Sequence, residues 1–169
     1  MLLELDTDLA GVVMTLAHMA AINIHDARRD PETKEDLRRR VHAPPGVGFR
    51  YTKDPTRIGL RPAPDRWSSY KVISKRSGAD EPIKGDCEDL AAAYAAAFYL
   101  FYPETRVEVA IVQPLPGEMA HAFVRVDGRV FDPSVLHGMR TVPPIEFYST
   151  GDLATLSLDH RLCLLPSPS

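Results

Sequence analysis

A chain of 169 residues, 44% hydrophobic and 25% charged, has the composition of one ordinary globular domain with enough apolar material for a core that needs no staples. Its net charge of −3 and pI near 6.1 supply no polybasic field, which argues against nucleic acid and against an acidic membrane surface as partners. Two cysteines, Cys87 and Cys163, are too few for a secreted disulfide framework and read as reduced thiols.

The run from Met1 to Asp6 interleaves acids with its apolar residues and lacks a basic segment, and no apolar stretch is long enough to cross a bilayer. No membrane association is expected, and the expected compartment is the cytoplasm or a particle assembled there. From Asp6 or Asp8 as N-cap, the segment Leu9 to Arg28 repeats apolar residues every three or four positions (Leu9, Val12, Val13, Leu16, Met19, Ala20, Ile24), which predicts an amphipathic helix. His18 and His25 share one face of it, but with no third ligand nearby they read as ordinary histidines, and no metal is expected. Asp30-Pro31-Glu32 predicts the start of a second helix reaching Val41, because proline suits the first helical position and acids suit the dipole there. Its end, Arg38-Arg39-Arg40, reads as a solvated basic terminus rather than a phosphate or RNA contact.

Between His42 and Glu81, prolines and glycines are so dense that no regular helix is expected. A short strand at Phe49-Arg50-Tyr51 and a second short element from Trp67 to Ile73 are the exceptions. So long an irregular stretch either carries a substrate groove or wraps over the core as a loop.

The run Gly85-Asp86-Cys87-Glu88-Asp89-Leu90-Ala91 is more specific. Asp86 is the expected N-cap and Asp89 its capping-box-like partner, so a helix should begin at Cys87 and run to about Tyr102, where Pro103 stops it. Alanines at 91, 92, 93, 95, 96 and 97 let neighbouring elements approach closely, which predicts a buried central helix. A thiol at its start sits among backbone N–H groups that favour a thiolate. Beyond Pro103, Arg106 to Val112 alternates as a strand, and Asp127-Gly128 joins strands Ala120–Val126 and Arg129–Asp132 in a tight hairpin. The hairpin brings His121 and Asp132, six and four residues from the turn, within reach of each other across the ladder, with a one-residue offset or bulge deciding how closely they meet. Toward the end, Ile145 to Tyr148, Gly151-Asp152 and Leu162 to Leu165 read as one or two further strands or covering segments.

Cys87, His121 and Asp132 are the residue types of an activated thiol: a nucleophile, a base that takes and returns its proton, and a carboxylate that holds the base. Oxyanion donors would be the Cys87 backbone N–H and a side chain such as Trp67 or Gln113. A zinc site built from the same three residues lacks a fourth ligand.

These runs, with Phe131-Asp132-Pro133-Ser134 and with Phe49-Arg50-Tyr51, Asp54-Pro55 and Trp67 upstream, resemble the transglutaminase-like proteins of the papain-like cysteine-peptidase superfamily, in the small form found in bacteria and their tailed phages. The resemblance covers roughly residues 49 to 134. It implies an α+β fold with the cysteine helix packed on an antiparallel sheet, Cys87 as nucleophile, His121 as general base and acid, and Asp132 as orienting carboxylate, with no cofactor. One domain is expected, comprising an N-terminal helical segment (1–41), an irregular segment (42–86), a catalytic-like core (87–135) and a C-terminal covering segment (136–169). The expected reaction is hydrolysis or acyl transfer at an amide bond of a peptide or protein substrate. The segment from Ser68 to Lys84 is more charged than the family pattern, which weakens the match at the groove. The other reading is a structural or assembly protein of a tailed-phage particle, whose partners would be other virion proteins.

Overall fold

The computed structural model describes residues 9–53, 57–58, 61–62, 68–78, 80–113, 120–140, 148 and 152–158. Asp6 and Asp8, Asp54-Pro55, Trp67, Ile145 to Phe147, Gly151 and Leu162 to Leu165 with Cys163 lie outside the described residues. The chain is a mixed α+β structure. Helix α1 (Leu9–Arg29) turns Val13, Leu16, Ala20 and Ile24 into the core, with Leu9, Val12 and Met19 packed at its margin. Helix α2 (Pro31–Val41) is capped by Asp30, whose carboxylate accepts from the Glu32 N–H at 3.1 Å.

Arg38, Arg39 and Arg40 are not one solvated end. Arg39 is exposed, and the Arg38 guanidinium lies 5.8 Å over the Phe101 ring. Arg40 is only 4% exposed. Its Nε bonds Asp36 at 3.1 Å, and its Nη atoms donate to the carbonyls of Glu81 (2.7 Å) and Gly78 (3.3 Å). A helix-end arginine is drawn inward because the irregular segment brings backbone carbonyls to its guanidinium, and Asp36 neutralises its charge. Gly48 passes so close that a Cβ there would fall 2.1 Å from the Arg40 carbonyl oxygen.

The irregular segment also contains regular structure. Strand β1 (Phe49–Tyr51) is where the pattern put it, and β2 (Arg57–Ile58) and β3 (Arg61–Pro62) form a two-residue antiparallel pair. The short element expected from Trp67 to Ile73 is, over its described residues, a seven-residue helix, α3 (Tyr70–Arg76), in a stretch where no regular helix was expected. Its sequence holds neither proline nor glycine, and buried Tyr70 and Ile73 fix it to the core. Strand β4 (Ile83–Gly85) pairs in parallel with β1, matching Phe49 to Ile83 and Tyr51 to Gly85, so this small sheet runs directly into the cysteine.

Helix α4 (Cys87–Phe101) has every residue from Leu90 to Ala97 buried, as expected of a central helix. It packs with α1 on one face of the sheet formed by β5 (Val107–Gln113), β6 (His121–Val126), β7 (Arg129–Phe131) and β8 (Asp152–Ser157), in the antiparallel order β7-β6-β5-β8. Val107, Val109, Ile111, Ala122 and Val124 face the helices, whereas Ala110, Val112 and Phe123 form a second cluster on the opposite face. Positive φ at Asp127 (50°) and Gly128 (79°) makes the β6–β7 turn the tight type its sequence predicts. The C-terminal segment supplies β8, a full neighbour of β5.

Candidate functional site

Cys87 begins α4 because Asp86, in extended conformation, caps it and accepts from the Asp89 N–H. The Asp89 carboxylate also accepts from the Ser68 N–H at 3.2 Å, tying the cap to the segment before α3. Gly85 has to be small, since a Cβ there would meet Asp89 Cβ at 2.9 Å. The cysteine is partly buried, and the Ala122 backbone N–H on β6 is close enough to its sulfur to favour the thiolate. The sulfur therefore lies beside the residue that follows His121.

His121 closes the β5–β6 ladder opposite Val112, with its side chain on the face that carries Phe123. Its Nε2 bonds Asp132 Oδ2 at 2.7 Å, and both side chains are only 7% exposed. An ionised carboxylate can only accept, so Nε2 carries the proton and Nδ1 is the nitrogen left to accept one. Asp132 ends the hairpin as the N-cap of a short helix, α5 (Pro133–Leu136). Its two oxygens divide the work. Oδ1 caps α5 through the Ser134 and Val135 N–H groups at 2.9 and 3.2 Å, while Oδ2 takes His121 and the Tyr148 hydroxyl, also at 2.7 Å. Burial pushes the Asp132 carboxyl upward, but these donors and the nearby imidazole outweigh it and hold the group below the usual carboxylate range.

The helix start does not leave the thiol acidic. Burial is the largest influence and pushes Cys87 well above its ordinary value; the Glu88 charge, the thiol's bond to Glu88 Oε2 at 3.0 Å and the Asp86 charge act in the same direction. The Ala122 N–H works against them. Two carboxylates beside the sulfur and its desolvation exceed what the helix start contributes. The resting group is a protonated thiol donating to Glu88.

Of the oxyanion candidates, Gln113 ends β5 one residue beyond the Val112–His121 pair, at the same end of the sheet as the histidine. Trp67 lies outside the described residues. Among the described residues no group of three or more His, Cys, Asp or Glu side chains gathers to hold a metal. His18 bonds the Met14 carbonyl and His25 lies 3.5 Å from the Arg29 guanidinium. A groove of about 340 Å³ runs beside the cysteine turn, lined by Ser68, Arg76, Glu81, Lys84, Gly85 and Asp89 among others.

Three side chains at the site had no role in the sequence reading. Glu88 stood in the quoted heptapeptide without one. Tyr51 stood in the β1 motif, and its phenol is pushed up to about 12, first by burial and then by the acidic groups near it, Cys87, Asp86, Glu88 and Asp132. No local pattern marked Tyr148. No family model, curated protein or solved structure matches the chain. Among the described residues no helix is long and apolar enough to cross a membrane.

Proposed function

We propose that this chain is a transglutaminase-like cysteine hydrolase or acyltransferase acting on amide bonds through a Cys87 thioester. The observation that carries the reading is the buried His121–Asp132 pair, bonded at 2.7 Å, on the strand whose next residue, Ala122, has its backbone N–H near the Cys87 sulfur at the start of α4. In this mechanism the thiol leaves Glu88 and gives its proton to His121 Nδ1. The sulfur lone pair then forms a C–S bond to the amide carbonyl carbon, and the carbonyl π electrons move to oxygen, facing the Cys87 backbone N–H and a second donor, Gln113 or Trp67. The oxyanion collapses, the C–N bond breaks, and the leaving amine takes the proton from Nδ1. Water or an acceptor amine, deprotonated by Nδ1, releases the acyl group and regenerates the thiol. Asp132 stabilises the imidazolium throughout. The groove beside Gly85 is the route for a peptide or protein substrate.

A specific observation favours a second reading. The thiol donates to Glu88 and is held above its ordinary pKa, as suits a chain that keeps this arrangement as a packing module, here an assembly protein of a tailed-phage particle whose partners are other virion proteins. One experiment separates the two. Iodoacetamide labelling of the full chain, read by peptide mass spectrometry, should show Cys87 alkylation falling about tenfold or more in His121→Ala while Cys163 is unaffected. Equal, slow labelling of both cysteines that ignores His121→Ala removes the enzyme reading. Assembly that survives Cys87→Ser would then support the module.

A further inference from the structure

We propose that Tyr148 is a positioning residue of this site: its hydroxyl fixes Asp132 Oδ2 against His121 Nε2, so that the imidazole is locked in the tautomer that leaves Nδ1 to accept a proton. The inference rests on the cysteine-enzyme reading, since the free nitrogen matters to catalysis only if His121 serves Cys87.

A carboxylate has about four acceptor sites, and Asp132 fills four: two with the N–H groups of α5, one with His121 and one with Tyr148. The α5 cap anchors Oδ1 alone, and a carboxylate anchored at one oxygen can still pivot. Tyr148 closes that freedom, because its ring is itself fixed. The ring stands edge-on to Phe123, at 5.0 Å between centroids and 85°, and nearly perpendicular to His121 at 6.4 Å and 68°. Burial, the hydrogen bond to Asp132 and the charge of that carboxylate keep the phenol protonated far above neutral pH, so its hydroxyl remains a donor. A side chain needed only to cover the Phe123 cluster would fill the place with its ring; the hydroxyl would be superfluous.

Tyr148→Phe keeps the ring and deletes the donor. Imidazole ¹⁵N NMR of the full chain should show His121 as the Nε2–H tautomer in the wild type and as a mixture in Tyr148→Phe, with the melt still cooperative. Cys87 alkylation should fall about tenfold, the worth of one hydrogen bond to a charged group, and should show no further loss from Tyr148→Phe in an Asp132→Asn background. The proposal is overturned by an unchanged tautomer and rate, by an equal loss in the Asp132→Asn background, or by a wild-type spectrum showing Nδ1–H, which decides the matter even if the variant fails to fold. Should labelling prove independent of His121, the enzyme reading fails while the tautomer comparison still judges Tyr148.

Discussion

Replacing Asp36 with asparagine tests what holds the cysteine turn in place. Asp36 accepts from Arg40, Arg39, the Tyr70 hydroxyl at 2.6 Å and Ser74 at 2.7 Å, and Arg40 in turn grips the carbonyls that flank β1, α3 and β4. Burial alone would raise the Asp36 pKa, yet these partners bring it from 3.8 to about 2. At about 1.36 kcal/mol per tenfold, that fall corresponds to about 2 to 3 kcal/mol of folding stability at pH 7. The group is depressed in the folded state, so its contribution is complete above the unfolded value near 3.8 and is lost as pH falls through about 2. About half of it should remain at pH 3. Urea denaturation of wild type and Asp36→Asn at pH 7 and pH 3 reads the difference directly. A gap of about 2 kcal/mol or more that halves at the lower pH is expected. A gap under about 1 kcal/mol at pH 7, or one equal at both pH values, would refute the account, because a surface pair behaves that way.

Two further outcomes follow from the cysteine turn. Glu88→Gln removes the charge that stabilises the protonated thiol, and iodoacetamide alkylation of Cys87 at pH 7 should rise about tenfold, the lower end of a hydrogen bond to a charged group; an unchanged rate would mean that Glu88 does not restrain the sulfur. Gly85→Ala places a Cβ 2.9 Å from Asp89 Cβ, where the first turn of α4 has to give way. Its urea midpoint should fall by the equivalent of about 1 to 3 kcal/mol, and wild-type stability in this variant would contradict the close approach.

Glu88, in the first turn of α4, and Asp132, just after β7, show how two carboxylates take opposite roles. Asp132 meets donors on both oxygens and is held ionised beside the histidine. Glu88 meets a thiol, and its charge holds that thiol protonated. Activation in the proposed enzyme therefore includes breaking the Cys87–Glu88 bond.

What the sequence by itself determined is local. Capping chemistry at Asp86, the stop before Pro103 and the alanine run define α4 and put Cys87 at its first residue, while Asp127-Gly128 sets the register that makes His121 and Asp132 neighbours. These features are legible because each depends on backbone preferences within a few residues. The tertiary structure decided the rest. Parallel pairing of β1 with β4, insertion of β8 beside β5 and the burial of Arg40 each join segments far apart in the chain, and no periodicity specifies which partner wins. The thiol's state is also tertiary: a helix start predicts an acidic cysteine, but burial against β6 together with the Asp86 and Glu88 carboxylates reverses the sign. Tyr148 reaches Asp132 for the same reason, because its position is set by packing on Phe123 rather than by anything in its own stretch of sequence.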